Sequence, residues 1–481
     1  MDAFETTLRD RIADVYRNDR WICIATFAAH VARIMEHVAE TAGFEAPSDD
    51  EHLRSSPLIG LAVHDRDPDP TGGFPILSLD RPSSGDVVAD LLETPSAMAD
   101  LPPGIADELD AWDPDRTAGV LVPPIMTNEP VAGRPVFGGR PSLWAALEDK
   151  LAVLDLWAEA GLTTAPAEVV ALADRAALVS AHSRLAGPNG TVWAADNRKG
   201  MHGGAAGTHW VPSAEAAARV ADRLAADHGH VRIMPYLDGV PCSIHGIVLD
   251  DATVTSRPNE MLVYLDESEH RFRYCRFSSH WDPPADSRAA MIEAAKAVGR
   301  ALRTRVGFRG VFSLDGVLTA DGFRPTEVNP RYGSALPLTL PIGDGRTINL
   351  VMLDRAIIAG SVRPDAARLQ SWLVANLDRR RHGGASFATT GTPDETRSGT
   401  VVGDADDLTL TGIDTESDDT PPVASVTWLP VGARHRLEIS FADAFPVGPP
   451  AAPLALRIAR LVDREWEVGL EDLVPALALA R

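Results

Sequence analysis

Between residues 310 and 331 the sequence reads GVFSLDGVLTADGFRPTEVNPR, two apolar runs flanking an Asp321-Gly322 pair. Such a pair between two runs of this kind is a strong hairpin signal. Register decides what the hairpin can do, because a slip of one residue sends side chains to opposite faces. A two-residue loop at Asp321-Gly322 pairs Asp315 with Val328. A three-residue loop, with Gly322 as the left-handed bulge residue, pairs Asp315 with Glu327 and leaves Asn329 two residues along on the same face. The second register is the expected one. It sets two carboxylates and an amide oxygen within about 5–8 Å of each other on one face of a sheet.

Carboxylates this close repel, and a hard divalent cation relieves the repulsion. Oxygen donors without Cys or a nearby His favour Mg²⁺, with Mn²⁺ as the alternative, over zinc. Asp315, Glu327 and Asn329 are therefore the expected metal ligands. Mg²⁺ usually keeps positions open for phosphate oxygens, so a nucleoside triphosphate is implied. Arg331 follows the ligands directly and is placed to reach a phosphate or acyl-phosphate.

At 481 residues the chain is too long for one compact core, and two to four domains are expected. Its formal charge of -23 argues against nucleic acid or an anionic membrane as a partner. A small phosphate ligand feels the local pocket and is not excluded. Only three basic residues are lysine: Lys150, Lys199 and Lys296. Cys23, Cys242 and Cys275 make no disulfide framework and have no metal-ligand spacing. The N-terminus is acidic without a basic segment, and the most apolar stretch, 21–35, is too short to span a bilayer. A soluble cytoplasmic protein is the expectation.

Along the chain, apolar spacing predicts a helix over 2–18, a strand over 21–27, a helix to about 42, and strands at 58–63, 75–79 and 118–122. This suggests a small α/β domain over 1–138, without a motif of chemistry. From Pro141 a helical stripe (Leu143, Trp144, Leu147, Leu151, Leu154, Trp157) runs to Gly161. Strands at 168–172, 191–196 and 208–211, a glycine-rich segment at 200–207 and a helix from Ser213 follow. Several strands lie between 231 and 275, then a long helix at 286–305, the hairpin, and a helix at 347–359. Beyond 362 the composition shifts to a small α+β appendage. The Arg379-Arg380-Arg381-His382 run reads as a solvated helix end, with phosphate contact as the alternative.

Asp315 followed by Glu327-Val328-Asn329-Pro330-Arg331 resembles the metal-binding signature of the ATP-grasp superfamily. Lys150 resembles the first nucleotide lysine of that fold, and the loop at 200–207 its phosphate-covering loop, with Lys199, Gly203 and Gly204 as contacts. Residues 231–239, with Met234, Tyr236 and Leu237, resemble the hinge that clasps adenine. Glu148-Asp149-Lys150, residues 239–246, Arg257-Pro258-Asn259-Glu260 and Pro325-Thr326-Glu327 also resemble peptide ligases of actinobacterial natural-product pathways. The resemblance covers about 141–345. It implies an α/β (α+β) ATP-grasp fold, with a pre-ATP-grasp α/β domain over 1–138. A lobe with the glycine-rich loop over 139–230, a lobe with the metal site over 231–361, and the appendage over 362–481 complete the division.

The sequence departs from the pattern in two places. A second lysine usually stands near Ala195 or Asp196, and a ribose-binding glutamate near Met234 or Tyr236. Lys199 is open between nucleotide contact and solvent, and Asp238 or Glu260 are the substitutes for the glutamate. Ser243 and His245 share a strand face and could contact phosphate or substrate, or form a structural pair. Arg257 could hold the γ-phosphate or a substrate carboxylate, or pair with Glu260. His202 is a contact at loop closure, Lys296 pairs with Glu293, and Cys242 packs.

The resemblance implies an ATP-dependent carboxylate–amine ligase. It would use ATP and Mg²⁺, with Arg331 and Arg257 as catalytic residues and an amino acid or short peptide among the small-molecule acid and amine substrates. Acyl transfer to a thiol or other acceptor, and a nucleotide-binding module without turnover, stay open as alternatives. A homodimer is an open expectation for the assembly.

Overall fold

A computed structural model describes residues 3–17, 19–47, 52–64, 73–84, 87–197, 205–392, 395–404, 407–412, 421–431 and 434–476. Its first sheet has four parallel strands in the order Ile76–Ser78, Leu58–His64, Trp21–Phe27, Gly119–Leu121. Parallel strands covered on both faces read as continuous apolar runs, and WICIATF is one. Cys23 and Ala25 pack on one side with the helices Ala3–Arg17 and Ala28–Ala42, while Ile22 and Ile24 pack on the other. Helices Val87–Ala99 and Pro103–Trp112 complete this layer and fall outside the sequence expectations.

The second sheet has eleven strands. Its path runs Gly322–Asn329, Gly310–Thr319, Gly239–Val248, Asn259–Asp266, Arg271–Ser278, then Thr208–Val211, Thr191–Ala195, His230–Pro235 and Glu168–Ala171. Thr253–Thr255 and Val474–Pro475 pair at its margins. The two groups of strands meet at one pairing, Arg271 with His209. Behind the hairpin, helix Ala285–Val306 covers Phe312, Leu314 and Val328, the even-numbered residues of the two strands. Alternation then turns the odd-numbered residues the other way.

A third sheet of five antiparallel strands spans Gly384–Thr389 to Arg434–Phe441, with helix Ala452–Trp466 packed in the same core. From that helix the chain returns to the large sheet, where Val474 and Pro475 pair with Leu265 and Tyr264.

Two expectations are corrected. The helical stripe at 143–157 is not one helix: Ser142–Ala145 is followed by a 3₁₀ turn, Ala146–Glu148, and the helix resumes at Val153–Ala160. The Asp149 carboxylate accepts from the Leu151 N–H (2.8 Å) and the Asn197 N–H (3.3 Å), a local competitor for helical hydrogen bonds. Lys150 therefore sits in a turn. The helix expected at 347–359 begins at Leu350, because Thr347–Asn349 is a strand and Asn349 Oδ1 caps the N–H groups of Val351 and Met352.

Candidate functional site

In the hairpin, Asp315 lies opposite Glu327 and Ser313 opposite Asn329, but the expected loop does not produce this. Thr319 pairs with Gly322, so the loop is the two residues Ala320-Asp321, and Gly322 has φ +104°. Gly316 pairs with Pro325 and Asp315 with Glu327, which leaves Thr326 as an extra residue. This β-bulge shifts the ladder by one and re-aims the carboxylate. Proline at 325 has no N–H to lose there. Thr326 Oγ1 donates to the Asp315 carbonyl (3.3 Å), and the Thr326 carbonyl accepts from Arg232 Nη2 (2.7 Å).

On the other side, Asp315 pairs with Ser243 and Ser313 with His245. Five side chains from three strands thus face one cleft of about 300 Å³, together with Asn329. Ser243 Oγ donates to Asp315 Oδ1 at 2.6 Å, and Asn329 Nδ2 donates to Asp315 Oδ2 at 3.0 Å. Burial and the Glu327 carboxylate push the Asp315 carboxyl up to about 6. Burial holds His245 down at about 3, so it faces Ser313 as a neutral ring. Among the described residues no cluster of three His, Cys, Asp or Glu could hold a metal. Asp315 and Glu327 with the Asn329 amide are a hard-oxygen set whose excess negative charge suits Mg²⁺.

Lys150 Nζ reaches Glu327 Oε1 at 3.3 Å. Arg331 Nε donates to Glu148 Oε1 at 2.9 Å, and Arg331 Nη2 to Asn329 Oδ1 at 3.3 Å. The buried Glu148 also pairs with Arg140, whose Nη2 donates to the Ile125 carbonyl at 2.7 Å. Glu148-Asp149-Lys150 therefore serves Arg331, the local turn and Glu327 in order.

The opposite end of the cleft is apolar. Met234, Tyr236 and Leu237 line it with Val192, Phe272 and Ala476. Tyr236 Oη donates to the Ala476 carbonyl, and burial raises the phenol's pKa.

Arg257 is the clear correction. It is 1% exposed and is not among the cleft-lining residues. Its Nη2 donates to the Trp281 carbonyl (3.1 Å) and to Asp282, and its Nε lies 3.8 Å from Asp378. Buried guanidinium needs carboxylates, and Asp282 and Asp378 come from segments that sequence distance hid. Neither Glu260 nor Asp238 lines the cleft either. Glu260 accepts the N–H groups of Ala451 and Ala452, and Asp238 accepts from Asn189 Nδ2 at 2.6 Å.

Lys199, His202, Gly203 and Gly204 lie outside the described residues. Ala195 faces the core, and Asp196 accepts the N–H groups of Gly229 and His230. Helix Ala366–Arg379 ends in the arginine run with Arg379 and Arg380 exposed, as expected, while Arg381 donates to the Ser279 carbonyl and to Asp282. Lys296 pairs with Glu293 at 2.9 Å, and Cys242 is buried. Arg232 was missed by the sequence reading. Its only signal is a charge in an apolar strand, VRIM, where a buried arginine demands a partner.

No protein-family model matches the sequence, and no curated protein matches it. Solved structures do. An N5-carboxyaminoimidazole synthase from Aspergillus clavatus, in complex with ADP and 5-aminoimidazole ribonucleotide, is 12% identical with a TM-score of 0.50, over 93% of this chain and 99% of that one. An L-amino acid ligase from Bacillus licheniformis is 12% identical with a TM-score of 0.50, over 94% and 98%. A biotin carboxylase from Campylobacter jejuni, in complex with β,γ-ATP, is 12% identical with a TM-score of 0.51, over 93% and 91%. At such identity the likeness speaks for the fold alone, and the fold is ATP-grasp.

Proposed function

We propose that the chain is an ATP-dependent ligase that activates a carboxylate as an acyl-phosphate and joins it to an amine. The observation that carries this is the face shared by Asp315, Glu327 and Asn329, with Arg331 beside them and an apolar wall of Met234, Tyr236 and Leu237 at the other end of one cleft. An apolar wall suits a base, and a carboxylate pair suits metal-bound phosphates. Asp315, Glu327 and Asn329 would hold Mg²⁺, which supplies charge neutralisation of the outer phosphates.

A substrate carboxylate oxygen attacks the γ-phosphorus, the bond to ADP breaks, and an acyl-phosphate forms. An amine nitrogen then attacks the acyl carbon, phosphate leaves, and the nitrogen gives up its proton. Arg331, held by Glu148, stabilises the oxyanion of that second step. Lys150 pairs with Glu327, which sets its ammonium beside the carboxylates that would hold the cation and within reach of the phosphates there. The fold is shared with an L-amino acid ligase, and together with the resemblance to natural-product peptide ligases this makes amino acids and short peptides the first substrates to test.

The test is ADP release from Mg·ATP over a panel of amino acids and small peptides, with product masses. Release that depends on both an acid and an amine, with a product lighter by one water than their sum, is expected. Full activity in Asn329→Ala would sink the metal assignment. Tight ATP binding without ADP release from any pair would replace the ligase by a nucleotide-binding module.

A further inference from the structure

We propose that Arg232 binds the innermost phosphate of the nucleotide, the one attached to the ribose. The proposal rests on the nucleotide reading above and assigns a role to a residue the sequence did not single out. Residues 232, 234 and 236 succeed one another at strand spacing and all line the cleft. Met234 and Tyr236 give the apolar wall, and Arg232 stands about 7 Å further along the strand. Its Nη2 donates to the carbonyl of Thr326, the residue before Glu327, one of the carboxylates expected to hold the cation and the outer phosphates. A base at one end and a metal at the other leave Arg232 beside the sugar and its phosphate. Across the ladder its neighbour is Ala194, which also lines the cleft and whose methyl group leaves room for a guanidinium.

The guanidinium is only partly spoken for. Arg232 is 2% exposed, and its Nη2 donates to the Thr326 carbonyl. Its Nε is buried with no hydrogen-bond partner among the described residues. Glu327 and Asp149 favour its charge from a distance, but neither makes an ion pair with it. Burial holds its pKa down at about 10, so it stays charged at neutral pH. A buried charge without a paired carboxylate is unfavourable. A strut for the bulge at Thr326 needs one N–H and leaves the rest unexplained. A phosphate oxygen at Nε would complete the set, and guanidinium matches phosphate geometry.

AMP and adenosine differ by that one phosphate, so the experiment is their binding to the full chain without Mg²⁺, by calorimetry or equilibrium dialysis. Wild-type protein is expected to prefer AMP. In Arg232→Met the AMP affinity is expected to fall by about tenfold or more, towards that of adenosine. Adenosine affinity should stay within about twofold, and Arg232→Lys should restore part of the preference. Equal loss for AMP and adenosine would mean a structural role and overturn the proposal, as would unchanged AMP binding. Near-UV circular dichroism reports folding. If Arg232→Met does not fold, Arg232→Lys decides, because an unaltered AMP preference there overturns the geometry argued from Nε. Wild-type protein that binds neither ATP nor AMP would fail the nucleotide reading itself. Wild-type protein that binds both, with variants like it, fails this proposal alone.

Discussion

Glu148 shows how one buried charge sets a neighbour's geometry. It is 3% exposed and lies between Arg140 and Arg331, so one carboxylate carries two guanidinium groups. Arg140 is fastened to the Ile125 carbonyl and belongs to the structure; Arg331 lines the cleft. Glu148 is thus a positioning residue for Arg331. Glu148→Gln keeps the shape and removes the charge, so ADP-release kinetics should show kcat reduced about tenfold, with KM for ATP within about twofold. Comparable changes in both parameters would point to a general structural role instead. At this scale the sequence showed residue types well and partners poorly. Asp315, Glu327 and Asn329 announce an oxygen set by type and spacing. Arg232 stands in an apolar strand and Arg257 in a polar Ser-Arg-Pro-Asn-Glu stretch, and nothing local says that Arg257 meets Asp282 while Arg232 faces a cleft.

Elements were legible where periodicity was strong and obscure where a side chain overrode it. The long helix Ala285–Val306 and the strand Trp21–Phe27 agree with their sequence patterns to within a residue or two. The hairpin was foreseen, but its loop is shorter than expected and a bulge at Thr326 restores the pairing of Asp315 with Glu327. A bulge depends on what approaches the strand, here the Arg232 guanidinium, and has no local code. Helix Ala452–Trp466 offers a similar case. Its first N–H groups have no cap of their own, and Glu260 from the large sheet accepts them while Tyr264 Oη donates to the Ala452 carbonyl at 3.0 Å. Burial outweighs those donors and pushes the Glu260 carboxyl up to about 7 from an ordinary 4.5. A carboxyl with a higher pKa folded than unfolded favours the folded state when protonated. Its contribution is complete below about 4.5 and is lost as pH rises through about 7. Denaturant unfolding should therefore show about 2 kcal/mol more stability at pH 5.5 than at pH 8 from this group. Glu260→Gln should remove that slope, and an unchanged slope would assign it elsewhere.

Across the whole molecule, the small parallel sheet and the hairpin that carries Asp315 and Glu327 are tied by helix Leu350–Ile358. Arg355 is buried in the linkage and donates to the Val122 and Gly138 carbonyls, each at 2.7 Å. Its neighbour Asp354 accepts from the Val311 N–H at 2.7 Å, on the strand that carries Asp315. Tyr16 Oη donates to the Met352 carbonyl at 3.1 Å. Arg355→Met would leave two buried carbonyls and Asp354 uncompensated, and thermal or denaturant unfolding should register a loss of about 3–5 kcal/mol. Removing the exposed pair Lys296–Glu293 should change stability by less than about 1 kcal/mol, and a larger effect would contradict its surface placement. No helix of the described residues is long and apolar enough to cross a membrane. The global charge of -23 says nothing about the cleft, where Lys150, Arg232 and Arg331 face Asp315 and Glu327. By itself the sequence determined the strands and helices with clear periodicity, and the hard-oxygen character of the hairpin, because these follow from neighbours along the chain. Only the tertiary structure decided which carboxylate faces which cation, where the bulge falls and which arginine lines the cleft. Those depend on groups brought together from up to about two hundred residues away, whose burial makes each pairing worth its energy.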